Sequence, residues 1–369
     1  MRNRRAIFLL GTPDMRQRWL LRSGSTAGRF RYRTAHGERV IGARAKAIDA
    51  LAIPPAWTDV HVAVSPRSEI QAWGFDSRGR KQYRYHPGAI KRGQRRKYYR
   101  VRQMGSDLPA IRRRVHADFR KKDLSRANVS AAIVRFLADG FFRIGNDRYA
   151  RENGTFGLST LKKSHVNVKG DLVIFDYVGK RSIRHHQTVV SRQLARFVEL
   201  LLATPGPRLF RYMDAGGSWH DMASSQVNDY LQEIAGFPYS AKDFRTWGGT
   251  LRAATILADM GPAPSAREAN RNVATAIRLV AAELGNTPTI CRKSYVHPIV
   301  IERYVERGDT IQLAATAPRS TRGRRRIAAS GAHPRPPATA LQTPEERALI
   351  EFLDSYFPDR RTERRTKPD

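Results

Sequence analysis

Arginine, lysine and tyrosine dominate the reactive side chains of this sequence, and together they suit the chemistry of phosphodiesters. In-line attack at phosphorus builds negative charge on the equatorial oxygens. Fixed guanidiniums can meet that charge, because their planar forks bond two oxygens at once. The leaving oxygen needs a proton, which a lysine of lowered pKa can give. The attacker can be a tyrosine phenol, whose ordinary pKa near ~10 falls in positive surroundings. Two arginines, a lysine and a tyrosine therefore make a sufficient set, but residue type and spacing alone do not choose among so many candidates. The interleaved Arg78, Arg80, Lys81, Tyr83 and Tyr85 suit contacts to phosphates, sugars and base edges, with a solvated strand edge as the alternative.

Other catalytic devices are missing. Gly74 to Lys81 (GFDSRGRK) nearly spells a phosphate loop, but Arg80 stands where the lysine should follow the glycine, and no Gly-x-Gly-x-x-Gly run appears. ATP and dinucleotides are disfavoured as cofactors. No histidine pair has helix-face metal spacing, and Asp214, His220 and Asp221 lie in a Gly-rich stretch that reads as an ordinary loop, so neither a metal nor any other cofactor is expected. The single cysteine, Cys291, excludes an intramolecular disulfide and suits a reducing compartment.

Charge points to the partner. The chain of 369 residues carries 67 Lys+Arg against 33 Asp+Glu, a formal net charge of +34. Such a surplus repels itself unless something anionic offsets it, and duplex DNA, with one phosphate charge per ~1.7 Å of axis, is the leading candidate. A membrane-surface role fits less well, because the arginines are spread through segments with core periodicity. No run approaches the ~18 apolar residues of a membrane span, and Met1 to Met15 holds only the short apolar run Ala6 to Leu10. A soluble cytoplasmic protein associated with the nucleoid is expected, with no membrane contact.

The positioning elements divide into two styles. Residues 1–105 read as a β-rich domain with few long helices: Val60 to Val64 alternates, and Ile70 to Trp73 and Tyr83 to Tyr85 are short strand-like runs. Residues 106–315 read as mainly helical, with apolar residues recurring at Val129, Ile133, Val134 and Leu137, at Leu194, Phe197, Val198 and Leu201, and at Val227, Tyr230, Leu231 and Ile234. Ser164 to Val190 interrupts them as a three-stranded antiparallel sheet, turning at Lys169-Gly170-Asp171 and again at Gly179-Lys180-Arg181. Ala266 to Leu284 is a helix stopped by Gly285, and Thr287 and Pro288 open the next, which Pro298 bounds. Residues 316–369 form a basic linker, including Arg324 to Arg326, and a short helix from Pro344 to Phe357. The fold class is α+β: a small N-terminal antiparallel β domain plus a larger helical catalytic domain carrying a three-stranded sheet.

Four separated segments, in order, resemble the type IB DNA topoisomerases of the poxvirus and bacterial branch. The first is Ile53-Pro54-Pro55-Ala56-Trp57 followed by Gly74 to Tyr85, similar to the family's N-terminal DNA-clamping domain. The second is Arg143-Ile144-Gly145-Asn146 with Tyr149, Asn153, Thr155, Gly157-Leu158 and Thr160-Leu161, ending at His165. The third is Tyr177-Val178-Gly179-Lys180. The fourth pairs Lys242-Asp243-Phe244-Arg245-Thr246 with Gly285-Asn286-Thr287-Pro288, leading to Ser294-Tyr295. Each piece alone is a weak pattern; their co-occurrence over roughly residues 30 to 310 is the signal.

The resemblance implies a tyrosine-recombinase-like catalytic domain and a monomer that clamps duplex DNA. It implies Tyr295 as the nucleophile forming a 3′-phosphotyrosyl bond, Arg143 and Arg245 on the scissile phosphate, and Lys180 as donor of a proton to the leaving 5′ oxygen. Asn286 stands where many members have histidine, which leaves it a neutral hydrogen-bonding role. Within the DNA-clamping segment, Lys81 and Tyr83 are the favoured contacts. Taken singly, each residue has a plainer fate: Tyr295 as a half-buried amphipathic tyrosine, Arg143 as a local cap, Lys180 as a solvated hairpin charge, and Arg245 as a surface ion pair with Asp243 or Asp259. The resemblance favours ATP- and metal-independent relaxation of supercoils by nicking and resealing. A tyrosine recombinase-like strand transferase is the nearest alternative, although Lys242 replaces the histidine usual three residues before its arginine. A non-catalytic architectural DNA-binding protein is the other alternative.

Overall fold

A computed structural model describes residues 19–24, 30–121, 123–313 and 341–356. The chain forms two compact units, Met1–Lys97 and Tyr98–Asp369.

In the first unit, β1 (Trp19–Ser23), β2 (Arg31–Arg33), the short helix α1 (Gly42–Asp49), β3 (Thr58–Ala63), β4 (Ile70–Phe75) and β5 (Lys81–Tyr85) build one antiparallel sheet in the order β2-β1-β3-β4-β5. Alternation sends Leu20, Tyr32, Val60, Val62 and Ala72 to one face, where they pack with Ile48 of α1. Gly74 keeps that face tight, since a Cβ there would lie 2.9 Å from Val60 Cγ2. Successive residues on the other face are Leu21, His61, Trp73 and Tyr83, paired across four strands.

Helix α2 (Pro87–Phe119) begins well inside the region read from sequence as β-rich, so the change of style expected near residue 105 falls within a helix. Its opening turns hide from an apolar-period search. Lys91, Arg92, Arg95 and Arg96 are all exposed there, and a buried stripe starts only with Tyr98, Val101, Met104, Leu108, Ile111 and Val115. Helix α1 was missed for the same reason: Ile48 is its one buried residue.

The second unit is helical with a small sheet. Helices α3 (Arg126–Gly140) and α4 (Asp147–Asn153) precede the antiparallel strands β6 (Val166–Lys169), β7 (Leu172–Val178) and β8 (Arg184–Val190), in the order β6-β7-β8, as the sequence predicts. Phe136 of α3 meets Phe142 and Phe175 edge-on and ties this sheet to the helical core. After α5 (Arg192–Leu202), the Asp214–Asp221 stretch is a hairpin rather than an open loop. Its strands are β9 (Arg211–Met213) and β10 (Trp219–Asp221), and Asp214 accepts the N–H groups of Gly216 and Ser218 in the turn.

Helix α6 (Ser224–Ala235) leads to α7 (Ala241–Met260) and α8 (Ala266–Leu284). Helix α8 ends at Gly285, left-handed at φ 58°, and Thr287 Oγ1 then accepts the Ile290 N–H at 3.4 Å to cap α9 (Pro288–Tyr295). Pro298 opens α10 (Pro298–Arg307).

Helix α11 (Pro344–Tyr356) packs on the same unit. Its Glu346 takes both nitrogens of Arg112 at 2.7 Å, and Asp354 pairs in the same two-pronged way with the buried Arg102. Phe357, the run Arg324–Arg326 and the segment from Met1 to Met15 lie outside the described residues. Among the described residues, no helix is long and apolar enough to cross a membrane.

Candidate active site

Four of the five catalytic candidates converge in the second unit. Arg143 follows the end of α3, where Phe141 turns left-handed at φ 54°. That turn sends Arg143 toward the α8–α9 junction, where its Nη2 donates to the Gly285 carbonyl at 2.8 Å and to Asn286 Oδ1 at 2.6 Å. Arg143 bonds to carbonyls, as the plainer account allowed, but across 142 positions rather than locally.

Arg245, on α7, is only 3% exposed, which removes the surface ion-pair alternative. Asp243 is taken by Arg100 at 2.7 Å and by the Ser240 N–H at 2.8 Å, the carboxylate half of a capping box at the start of α7. Arg245 instead donates to the Phe141 carbonyl and, at 2.8 Å, to the Leu284 carbonyl. Its guanidinium carbon lies 5.0 Å from the centre of the Tyr295 ring. Both arginines are thus pinned by backbone oxygens beside Tyr295. Burial, the larger influence, lowers the pKa of each, and the Tyr295 phenol works in the opposite direction.

Tyr295 is the last residue of α9 and is half-buried. Glycine permits its position: a Cβ on Gly249 would stand 2.7 Å from the Tyr295 carbonyl oxygen and 3.3 Å from its Cβ. Next to it, Thr250 accepts the His297 N–H at 3.1 Å, which fixes the chain just past the tyrosine. Burial pushes the phenol up, but Arg245, Arg143 and Lys242 outweigh it and hold the pKa below the usual tyrosine value. A lowered phenol in a cationic setting is what a tyrosine nucleophile requires.

Asn286 has two uses in one amide. Its oxygen accepts from Arg143, while its Nδ2 is buried with no hydrogen-bond partner among the described residues. Such an orphaned donor is costly unless something arrives to accept from it. Lys180 is different: it is exposed on the turn between β7 and β8, where Arg181 and Ser182 both take positive φ, and among the described residues none of its hydrogen bonds reaches the cluster.

His185 was not singled out from the sequence. It occupies a core-facing position of β8, is 9% exposed, and its Nε2 lies 3.4 Å from Arg143 Nη1. A histidine at the inward phase of a strand otherwise rich in exposed polar residues was the available signal. Tyr177 stacks on it at 5.3 Å and 20°, with its hydroxyl donating to Gln187. His297, by contrast, is a buried helix cap: its Nδ1 accepts the Ile299 N–H at 3.2 Å. Cys291 is buried in α9 and its thiol is pushed up to about 11 by burial, which keeps it unreactive.

In the first unit the cation–aromatic pattern forms one continuous patch. Lys81 Nζ sits 3.6 Å above the Trp73 ring, Trp73 stacks on His61 at 3.9 Å, and Tyr83 stacks on Tyr85 at 5.8 Å. Tyr83 and Tyr85 are 40% and 49% exposed. Arg80 is drawn aside: Asp76 holds its side chain at 2.7 Å and accepts the backbone N–H groups of Arg78 and Arg80. Arg78 is exposed in the same turn.

Comparison with known proteins identifies the family. The model of the eukaryotic DNA topoisomerase I catalytic core matches residues 87–318, and that of the bacterial DNA topoisomerase IB N-terminal domain matches residues 29–76. The DNA topoisomerase 1B of Acanthamoeba polyphaga mimivirus is 32% identical over 264 residues, covering 70% of this chain and 79% of that protein. The DNA topoisomerase 1B of vaccinia virus (strain Copenhagen) is 26% identical over 238 residues, covering 62% and 70% respectively. The chain belongs to the type IB DNA topoisomerase family. It is a DNA-binding isomerase of that type, and the recombinase and purely architectural alternatives give way to this assignment.

Proposed function

We propose that Tyr295 carries out the type IB reaction as nucleophile. Its phenolate attacks the scissile phosphorus, forming the 3′-phosphotyrosyl ester as the bond to the 5′ oxygen breaks. Arg143 and Arg245 hold the non-bridging oxygens, and the orphaned Asn286 Nδ2 donates to one of them. Lys180, reaching in from its exposed turn, gives the leaving 5′ oxygen its proton. Resealing is the same path reversed. The ester preserves the energy of the broken linkage, so ATP is not required, and the two guanidiniums supply the charge that a divalent ion would otherwise bring.

One observation carries this reading: two guanidiniums are anchored on backbone carbonyls beside a tyrosine whose phenol they acidify. Lys81, Tyr83, Tyr85, Arg78 and, through its Asp76-braced turn, Arg80 grip the duplex from residues 1–105. Residues 106–315 perform the chemistry, on an architecture akin to that of tyrosine recombinases, and the basic 316–369 segment adds charge. One copy of the chain suffices, acting on DNA in the cytoplasm at the nucleoid, and DNA twist drives rotation about the intact strand.

The test is relaxation of supercoiled plasmid in EDTA, followed by denaturant trapping and identification of the DNA-linked peptide. Relaxation with DNA on the Arg292–Tyr295 peptide supports the reading. Adducts on another residue, or loss of activity in EDTA, overturn it.

A further inference from the structure

We propose that His185 is a positioning residue for strand cleavage: as a neutral imidazole it accepts from Arg143 and sets the spacing of the three segments that carry Arg143, Lys180 and Asn286. The inference rests on the reading of Arg143 as a phosphate ligand given above.

The argument is geometric. His185 Nε2 lies 3.4 Å from Arg143 Nη1, and since a guanidinium can only donate, Nε2 must be the unprotonated nitrogen. The imidazole is also fitted between two glycines. A Cβ on Gly179, the neighbour of Lys180, would lie 2.5 Å from His185 Cδ2. A Cβ on Gly285, the neighbour of Asn286, would lie 2.4 Å from His185 Cε1. Tyr177 closes one face of the ring by stacking. One side chain thus touches Arg143 and the residues that precede Lys180 and Asn286. The other two bonds of Arg143, to Gly285 O and Asn286 Oδ1, leave from Nη2, so His185 is what orients the second nitrogen of the fork. Burial first, then Arg143 and Arg245, push the imidazole pKa down and keep the ring an acceptor near neutral pH.

Three variants separate this role from plain core filling. His185→Phe keeps a ring against Tyr177 but removes the acceptor; His185→Gln restores a neutral acceptor; Arg143→Ala removes the donor. Covalent-complex formation on plasmid DNA is measured at enzyme excess, beside DNA retention and thermal unfolding. Expected is a cleavage rate about 10- to 100-fold lower for His185→Phe at unchanged DNA retention, with His185→Gln recovering to within about threefold of the parent. In the Arg143→Ala background, His185→Phe should cost less than about twofold more. A His185→Phe rate equal to the parent, no rescue by Gln, or a full multiplicative loss on Arg143→Ala overturns the proposal. Wild-type cleavage by Arg143→Ala alone would instead overturn the underlying reading of Arg143. Imidazole 15N NMR, with the His185 signal assigned by its loss in His185→Gln, reads the tautomer in the unmutated protein. Nε2 should be the pyridine-type nitrogen, and a protonated Nε2 would refute the assignment.

Discussion

The Arg245 guanidinium and the Tyr295 ring face each other at 5.0 Å, although the two residues stand on different helices. Arg245 does not rely on the tyrosine for its position, because the Phe141 and Leu284 carbonyls already hold it. The cation is therefore in place before any phosphate arrives, which is the condition under which fixed charge lowers a barrier most. Replacing Arg245 with Lys keeps the charge and loses the fork. Cleavage is expected to fall about 10²- to 10³-fold. Unfolding should also become easier by about 1–3 kcal/mol, as buried carbonyls lose their donors. Single-turnover kinetics and chemical denaturation measure the two effects.

Tyr295→Phe removes one hydroxyl from a half-buried ring. The variant should retain DNA binding while giving neither relaxation nor a denaturant-stable adduct, and gel retardation beside a plasmid assay is sufficient to see it. Residual relaxation above a few turns would remove Tyr295 as nucleophile.

The phenol of Tyr295 sits below its ordinary pKa, so its phenolate, the proposed attacker, becomes available at lower pH than from a free tyrosine. The cleavage rate should rise with pH and level off before pH ~10. Tyr177 does not confuse the profile, since burial pushes it up to about 12. Lys242 is one of the three cations that lower Tyr295, so Lys242→Ala should move the rising limb to higher pH without abolishing it. A limb that stays fixed would show that Lys242 does not act on the phenol.

Gly249→Ala would place a methyl 2.7 Å from the Tyr295 carbonyl oxygen. Neither helix backbone can yield cheaply, so a loss of about 1–3 kcal/mol in stability is expected. The relaxation rate should fall as well, because α9 must shift to make room. Thermal unfolding and plasmid relaxation on the same preparation test both.

In the first unit, Lys81→Ala removes a cation seated on Trp73 and should weaken DNA binding on every sequence alike. The slope of log affinity against log salt should become shallower by about one. Tyr83→Ala should weaken binding and leave that slope unchanged, since it removes no charge.

Much of this arrangement is written in local signals. Gly285 as a stop and Thr287-Pro288 as a start follow from cap chemistry, and the β6–β8 sheet follows from branched runs between Gly-containing turns. The start of α2 was illegible because exposed arginines erase the apolar period. His185 escaped notice because the partners that give it its proposed role are remote in sequence: Arg143 and Gly285 are 42 and 100 positions away. Arg143 and Asn286, joined at 2.6 Å, are 143 positions apart, and no periodicity connects them. It was the order of several short segments that singled them out.

Helix α11 carries a consequence for how the protein is made. Glu346 and Asp354 reach back 234 and 252 positions to Arg112 and Arg102, and Ile350 lies against Gly105 where that glycine meets Trp247, two residues past Arg245. Contacts spanning so much chain close slowly, since their loop entropy is lost before they return any energy. During translation Arg112 and Arg102 precede Glu346 and Asp354 by more than 200 positions, so the packing around Trp247 of the Arg245 helix is completed late in biosynthesis.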